Sequence, residues 1–149
     1  MSSAIEVYNP MSAYNSAINK LEKNGIRATK QRRVLAKLIF DKGKRHISAE
    51  NLFDEVKKDE RKMYKRQIYN TLKQFTNLGL IREIVVDQNK SLYCNNNQSH
   101  YHLYIEDEGK VIDIPTQNID LDIPSIPACL KLHDIDVIVR IRTLKDKNN

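Results

Sequence analysis

Apolar positions recur every three or four residues in four stretches of the N-terminal half, a spacing typical of amphipathic helices. The spacing predicts helices over residues 12–24, 30–40, 49–58 and 65–78. Thr29 and Ser48 are natural N-caps for the second and third helices, and Gly25 ends the first. Residues 1–11 have neither a basic start nor a long apolar stretch, so we interpret them as a loose leader.

Two short apolar segments, residues 80–86 and 91–94, follow the fourth helix and flank the polar turn at 87–90. Their spacing predicts two strands joined as a β-hairpin. Three short helices, a fourth helix with a polar face and a terminal hairpin are the elements of a winged helix-turn-helix. We therefore predict such a domain over residues 1–94.

The fourth predicted helix has two chemically different faces. Ile68, Leu72 and Phe75 fall within one narrow arc, as core residues do. The opposite face carries Arg66, Tyr69, Asn70 and Lys73. These residue types contact phosphates, thymine methyls and base edges in a major groove. The pattern favours a DNA-recognition helix, with an ordinary solvated helix as the alternative.

The pattern changes after residue 99. Short strands are predicted at 102–105 and 110–114 around an acidic turn, and alternating apolar residues predict a half-buried strand over 134–142. We expect a small α+β domain over residues 100–149, joined through a hinge at 95–99. A three-stranded unit of this size is too small to be stable alone, so we expect a homodimer in which a second copy covers its sheet.

The charge distribution assigns different partners to the two halves. Residues 20–45 contain ten Lys or Arg and two acidic residues, whereas residues 104–136 contain eight acidic residues and two Lys. The net charge of +6 therefore lies towards the N-terminal part, which predicts contact with double-stranded DNA there. No apolar run is long enough for a bilayer, and we expect a cytoplasmic protein with no membrane partner.

Two observations exclude other classes of site. The chain has four glycines and shows no phosphate-binding glycine loop, nucleophile with a base, or paired catalytic carboxylates, so we do not predict an enzyme. Cys94 and Cys129 are far apart in sequence, so we expect neither a disulfide framework nor a structural CxxC zinc site. His100 and His102, however, project to the same face of a strand, a common way to present two imidazoles to one metal ion.

Five segments together resemble the ferric uptake regulator family and, within it, the iron response regulator branch that responds to haem. They are GIRATKQR at 25–32, HISAE at 46–50, IYNTL at 68–72, GLI at 79–81 and EDEGKVIDIP at 106–115. The resemblance extends from about residue 21 onward. It implies an iron- or haem-responsive transcription regulator that acts as a homodimer on AT-rich palindromic operators.

The resemblance also implies a regulatory metal site between the two domains. In the family it is formed by histidines like His46, His100 and His102, together with an acidic residue where this chain has Cys94. We take these four residues as candidate ligands of a divalent ion (iron, manganese or zinc) or of haem. A set of three histidines and a thiolate suits zinc or another borderline-soft metal, and the thiol is open to oxidation.

The complete candidate set for DNA contact is Arg27, Thr29, Lys30, Arg32, Lys65, Arg66, Gln67, Tyr69, Asn70 and Lys73. Two alternatives stay open. One is a zinc- or redox-responsive regulator of the same fold, which Cys94 favours. The other is a metal-free winged-helix adaptor that binds a protein through its acidic half, its histidines lining a polar surface.

Overall fold

The structure, a computed structural model, describes residues 9–59 and 62–145. The chain divides after Asn97 into two compact units, called unit 1 and unit 2 here. In the described ranges, unit 1 contains four helices and a three-stranded sheet, and unit 2 contains a three-stranded sheet with one turn of 3-10 helix. No helix among these residues combines the length and the apolar character needed to cross a membrane.

Four amphipathic helices build unit 1. They are α1 at Pro10–Lys23, α2 at Lys30–Phe40, α3 at Ala49–Lys58 and α4 at Lys65–Asn77. The two predicted caps are present, since the hydroxyl oxygens of Thr29 and Ser48 accept hydrogen bonds from backbone N–H groups in the first turns of α2 and α3. Gly25 follows α1 with a φ of 73°, a conformation that glycine adopts without strain.

Helix α1 begins two residues earlier than the sequence predicts. Pro10 occupies its first turn, where a missing N–H costs nothing, and Asn9 caps it by accepting a hydrogen bond from the backbone N–H of Ser12. Pro10 and Met11, which we interpreted as part of a loose leader, therefore belong to the helix. The first eight residues of that leader lie outside the described part of the chain.

The core of unit 1 is formed by the apolar faces of the four helices. Ile68, Leu72 and Phe75 of α4 are fully buried, as their spacing predicts. They belong to one cluster with Leu21 of α1 and Leu35 of α2. Burial of each such side chain stabilises the fold by roughly 1.5–3 kcal/mol. Because one face of α4 is committed to this core, its polar face is directed outward.

The sheet of unit 1 contains the predicted hairpin and one additional strand. Strands β2 (Arg82–Asp87) and β3 (Lys90–Cys94) pair antiparallel, and β1 (His46–Ile47) pairs with the other side of β3. The order is therefore β1-β3-β2. Strand β1 was not predicted, because two residues are too few to show an alternating pattern.

The end of β3 is fixed to the loop between α2 and β1 by Asn95, which is 1% exposed. Its side-chain oxygen accepts a hydrogen bond from the backbone N–H of Arg45 at 2.8 Å. Its amide nitrogen donates to the carbonyls of Ile39 and Gly43 at 2.7 and 2.8 Å. The first residue of the predicted hinge is thus held firmly within unit 1.

Unit 2 is built on β4 (His100–Ile105), which lies between β5 (Lys110–Pro115) and β6 (Ile138–Ile141). Strand β5 is antiparallel to β4, and β6 is parallel to it. The predicted strand over 134–142 is therefore too long. It is limited to Ile138–Ile141 because β6 pairs with only the last four residues of β4, before the chain turns at Glu106.

The remainder of unit 2 has little regular structure and few buried side chains. Residues 119–137 contain no helix or strand, in agreement with the prolines at 124 and 127. Many large apolar side chains of this unit are exposed. They are Ile112, Leu121, Ile123, Ile126, Leu130, Leu132, Ile141 and Leu144. The unit therefore does not bury its own apolar surface as unit 1 does.

Candidate nucleic-acid interface and metal ligands

The outward face of α4 is a continuous polar surface, which we call the α4 face. It consists of Arg66, Tyr69, Asn70 and Lys73, all exposed. Within the described ranges, the side chains of Arg66, Asn70 and Lys73 take part in no hydrogen bond or ion pair. Two cations and an amide are thus available to phosphates and base edges without first breaking an internal contact.

Two predicted DNA contacts near the start of α4 have internal partners. The Gln67 side-chain oxygen accepts a hydrogen bond from the backbone N–H of Tyr64 at 3.0 Å, which satisfies a donor at the helix start. The Lys65 ammonium lies 5.2 Å from the centre of the Phe53 ring, within the range of a cation–π interaction. Lys65 is nevertheless exposed.

Tyr69 is anchored by a contact that the sequence does not show. Its hydroxyl donates a hydrogen bond to Oε1 of Glu50, in the first turn of α3, at 2.6 Å. This bond lowers the pKa of Glu50 and raises the pKa of Tyr69. At neutral pH the pair is therefore a carboxylate that accepts and a neutral phenol that donates.

Of the four predicted DNA contacts around the start of α2, two have internal roles and two are exposed. Arg32 links two helices, because Nε donates to the side-chain oxygen of Gln74 in α4 at 3.0 Å and Nη1 donates to the carbonyl of Arg27 at 2.6 Å. Thr29 caps α2. Arg27 and Lys30 are exposed. Lys30 also lines a shallow cleft of about 300 Å³ with Lys62, a cation that our predicted set omitted.

Unit 1 brings two of the four predicted metal ligands together. His46 in β1 and Cys94 in β3 are opposed residues of an antiparallel pair, so their side chains project on the same side of the sheet. The ligand atoms of these two residues lie within 4.8 Å of each other. Cys94 is buried, Cys129 is exposed, and neither is in a disulfide within the described ranges.

Unit 2 brings together the other two predicted ligands and adds a third group. The Nε2 atoms of His100 and His102 are 2.9 Å apart. Oδ1 of Asp113 lies 3.3 Å from the first and 3.5 Å from the second. The prediction missed Asp113, although its signal was present. A hairpin around the turn at 106–109 places residue 113 opposite residue 102, and they are partners in the sheet.

The geometry in unit 2 fits a divalent metal ion. Nδ1 of His100 lies 2.5 Å from the carbonyl oxygen of Gln98, to which a protonated Nδ1 donates, so the lone pair is left on Nε2. Two ligands about 2.1 Å from a tetrahedral zinc ion lie about 3.4 Å apart. The observed 2.9, 3.3 and 3.5 Å separations are close to that value.

Comparison with known proteins identifies relatives over most of the chain. The model of the ferric uptake regulator family matches residues 23–140. The peroxide-responsive repressor PerR of Staphylococcus saprophyticus is 27% identical over 104 residues, which is 70% of each chain. PerR of Staphylococcus aureus (strain Mu50) is 26% identical over 110 residues, or 74% of each chain.

 The range that the family model matches contains the α4 face and the four predicted metal ligands, His46, Cys94, His100 and His102.

Solved structures show the same fold. Ferric uptake regulator from Pseudomonas aeruginosa with manganese covers 85% of this chain and 97% of its own, with a TM-score of 0.63 at 20% identity. The Vibrio cholerae ferric uptake regulator covers 85% and 98%, with a TM-score of 0.65 at 19% identity. A zinc-bound manganese uptake regulator covers 86% and 98%, with a TM-score of 0.62 at 25% identity. The predicted α+β winged-helix fold is thereby confirmed.

The family match settles the general class of the protein. Members of the family are metal-responsive, DNA-binding transcription regulators and not enzymes, so the expectation that the chain is not an enzyme is confirmed. The haem-responsive branch stays a prediction. Because the family model matches residues 23–140, well over half of the 149 residues, the chain belongs to the ferric uptake regulator family.

Proposed function

We propose that this regulator binds AT-rich palindromic duplex DNA as a cytoplasmic homodimer, under the control of a divalent iron, manganese or zinc ion. The observation that carries the proposal is the division of α4 into a fully buried apolar face and an exposed cationic face. A helix so arranged offers its cations and amides to a major groove while its core contacts hold it in place.

The proposal assigns DNA binding to residues 1–94, a hinge to 95–99, and dimerisation and sensing to 100–149. The exposed apolar side chains of unit 2 support the dimer, since a second copy would remove them from water. A two-fold dimer presents two recognition helices with the symmetry of a palindromic operator. The exposed cations Arg27, Lys30 and Lys65 would add phosphate contacts beside the α4 face.

The proposed metal ligands are His46, Cys94, His100 and His102, with Asp113 added because it lies beside both unit 2 histidines. When bound, the ion supplies a positive charge that holds its ligands in one arrangement.

Control by oxidation is the second candidate function, because Cys94 supplies an oxidisable thiol and two relatives are named peroxide-responsive repressors. Haem is supported less well than an ion. The nitrogen atoms of His100 and His102 converge with a carboxylate oxygen of Asp113. Haem proteins, in contrast, usually hold the haem iron through one or two axial ligands.

The proposal is tested with metal-free protein titrated with Mn²⁺, Zn²⁺, anaerobic Fe²⁺ and, separately, haem. We expect about one divalent ion per chain by elemental analysis and no Soret shift with haem. The loaded protein should enrich AT-rich two-fold sequences from a random duplex pool and sediment at twice 17.4 kDa. A Soret shift without ion binding would favour the haem branch, and failure to bind any metal or DNA would favour the metal-free adaptor.

A further inference from the structure

Glu50 is an acidic residue beside the surface that we assign to DNA. It is exposed in the first turn of α3, and its carboxylate accepts the 2.6 Å hydrogen bond from the Tyr69 hydroxyl. The positive charges of Lys65 in α4 and Lys90 in the hairpin also act on it. A carboxylate near DNA phosphates repels them, so its position calls for a role that outweighs this cost in affinity.

We propose that Glu50 is a positioning residue for DNA recognition, holding the Tyr69 ring by its hydroxyl so that the ring meets the bases in one orientation. The inference rests on the proposed function, in which α4 enters the major groove. Glu50 then acts through Tyr69 and makes no contact with DNA itself.

The physical basis is the difference between specific and non-specific binding. Tyr69 is 46% exposed, and its hydroxyl hydrogen bond restricts a ring that would otherwise have to be ordered during binding. Ordering a side chain beforehand lowers the entropic cost of association. Non-specific binding depends mainly on phosphate charges, to which a negative Glu50 is unfavourable. The pair should therefore strengthen specific binding and weaken non-specific binding.

The test is a double-mutant cycle with Glu50→Ala, Tyr69→Phe and the two combined, together with Glu50→Gln. Glutamine loses the charge, as alanine does, but keeps an oxygen that accepts the tyrosine hydrogen bond. Affinities are measured by fluorescence anisotropy at one salt concentration on the enriched duplex and on a scrambled duplex of the same composition. Thermal melting of each variant reports the fold.

On the enriched duplex, we expect Glu50→Ala and Tyr69→Phe each to weaken binding about fivefold, and the double variant to lose no more than either single one. Glu50→Gln should retain the specific affinity. On the scrambled duplex, both Glu50 variants should bind about as tightly as the wild type or up to about threefold more tightly, because a repulsive charge has gone.

Fully additive losses on the enriched duplex would overturn the inference, since the two residues would then act independently. Equal losses for Glu50→Gln and Glu50→Ala, or equal losses on the two duplexes, would overturn it as well. Arg66→Ala separates this failure from failure of the proposed function. If Arg66→Ala weakens binding while the cycle is additive, only the role of Glu50 is wrong; if Arg66→Ala has no effect, the α4 face itself is wrongly assigned.

Discussion

Replacement of both Arg66 and Lys73 by alanine is expected to weaken binding to the enriched duplex by about 100-fold. Both side chains are exposed and take part in no ion pair in the described part of the chain. One base or phosphate contact from each, at about 1–2 kcal/mol, gives a total of about 3 kcal/mol, and 1.4 kcal/mol is tenfold. The melting temperature should change by less than about 2 °C, because neither side chain packs in the core.

The matched control is Lys110→Ala with Lys131→Ala, which removes two exposed cations from unit 2. Both double variants lower the net charge equally, so a difference between them reports position rather than charge. The salt dependence of binding should become shallower by about one or two released ions only in the α4 variant. Equal losses in both variants would show that net charge, not the α4 face, determines affinity.

Replacement of both His100 and His102 by alanine is expected to weaken metal binding at least about 100-fold, as measured by competition with a coloured chelator. The change removes two imidazole nitrogens that lie 2.9 Å apart beside Asp113. Loss of outer partners of metal ligands alone costs 10–100-fold, roughly, so loss of two direct ligands should cost more. With metal present, the variant should bind DNA as metal-free wild type does.

Two further variants test whether the loss of metal binding could come from a folding defect. His133→Ala removes an exposed histidine far from the cluster in sequence and should leave metal affinity unchanged. Asp113→Asn preserves the size of the side chain and should weaken metal binding about tenfold, since an amide oxygen carries no full charge. Wild-type metal affinity in the double histidine variant would contradict the ligand assignment.

The helices of unit 1 were predictable because their information is local. The bounds of α2 and α3 match the prediction, since a cap residue and a 3.6-residue apolar period lie within each segment. Strand β1 and the shortened β6 were not predictable in this way. Their extent is determined by the strand with which each pairs, and that partner lies far away in the sequence.

In the candidate site, too, features that depend on local sequence were predictable and features that depend on distant residues were not. The α4 face could be predicted from its helical spacing, and the two unit 2 histidines from the alternation of a strand. Glu50 could not be connected with Tyr69, because the two residues are 19 positions apart on different helices. Asp113 was not predicted but could have been, since the strand register around the turn at 106–109 would have placed it opposite His102.

The most direct test of the α4 face is a photo-crosslink from metal-loaded, full-length protein to the enriched duplex. A photoreactive amino acid replaces Asn70 on the α4 face in one sample and Glu108, in the exposed acidic turn of unit 2, in another. We expect position 70 to crosslink to DNA and position 108 not to crosslink. Crosslinking from position 108 with none from position 70 would contradict the assignment of DNA contact to the α4 face.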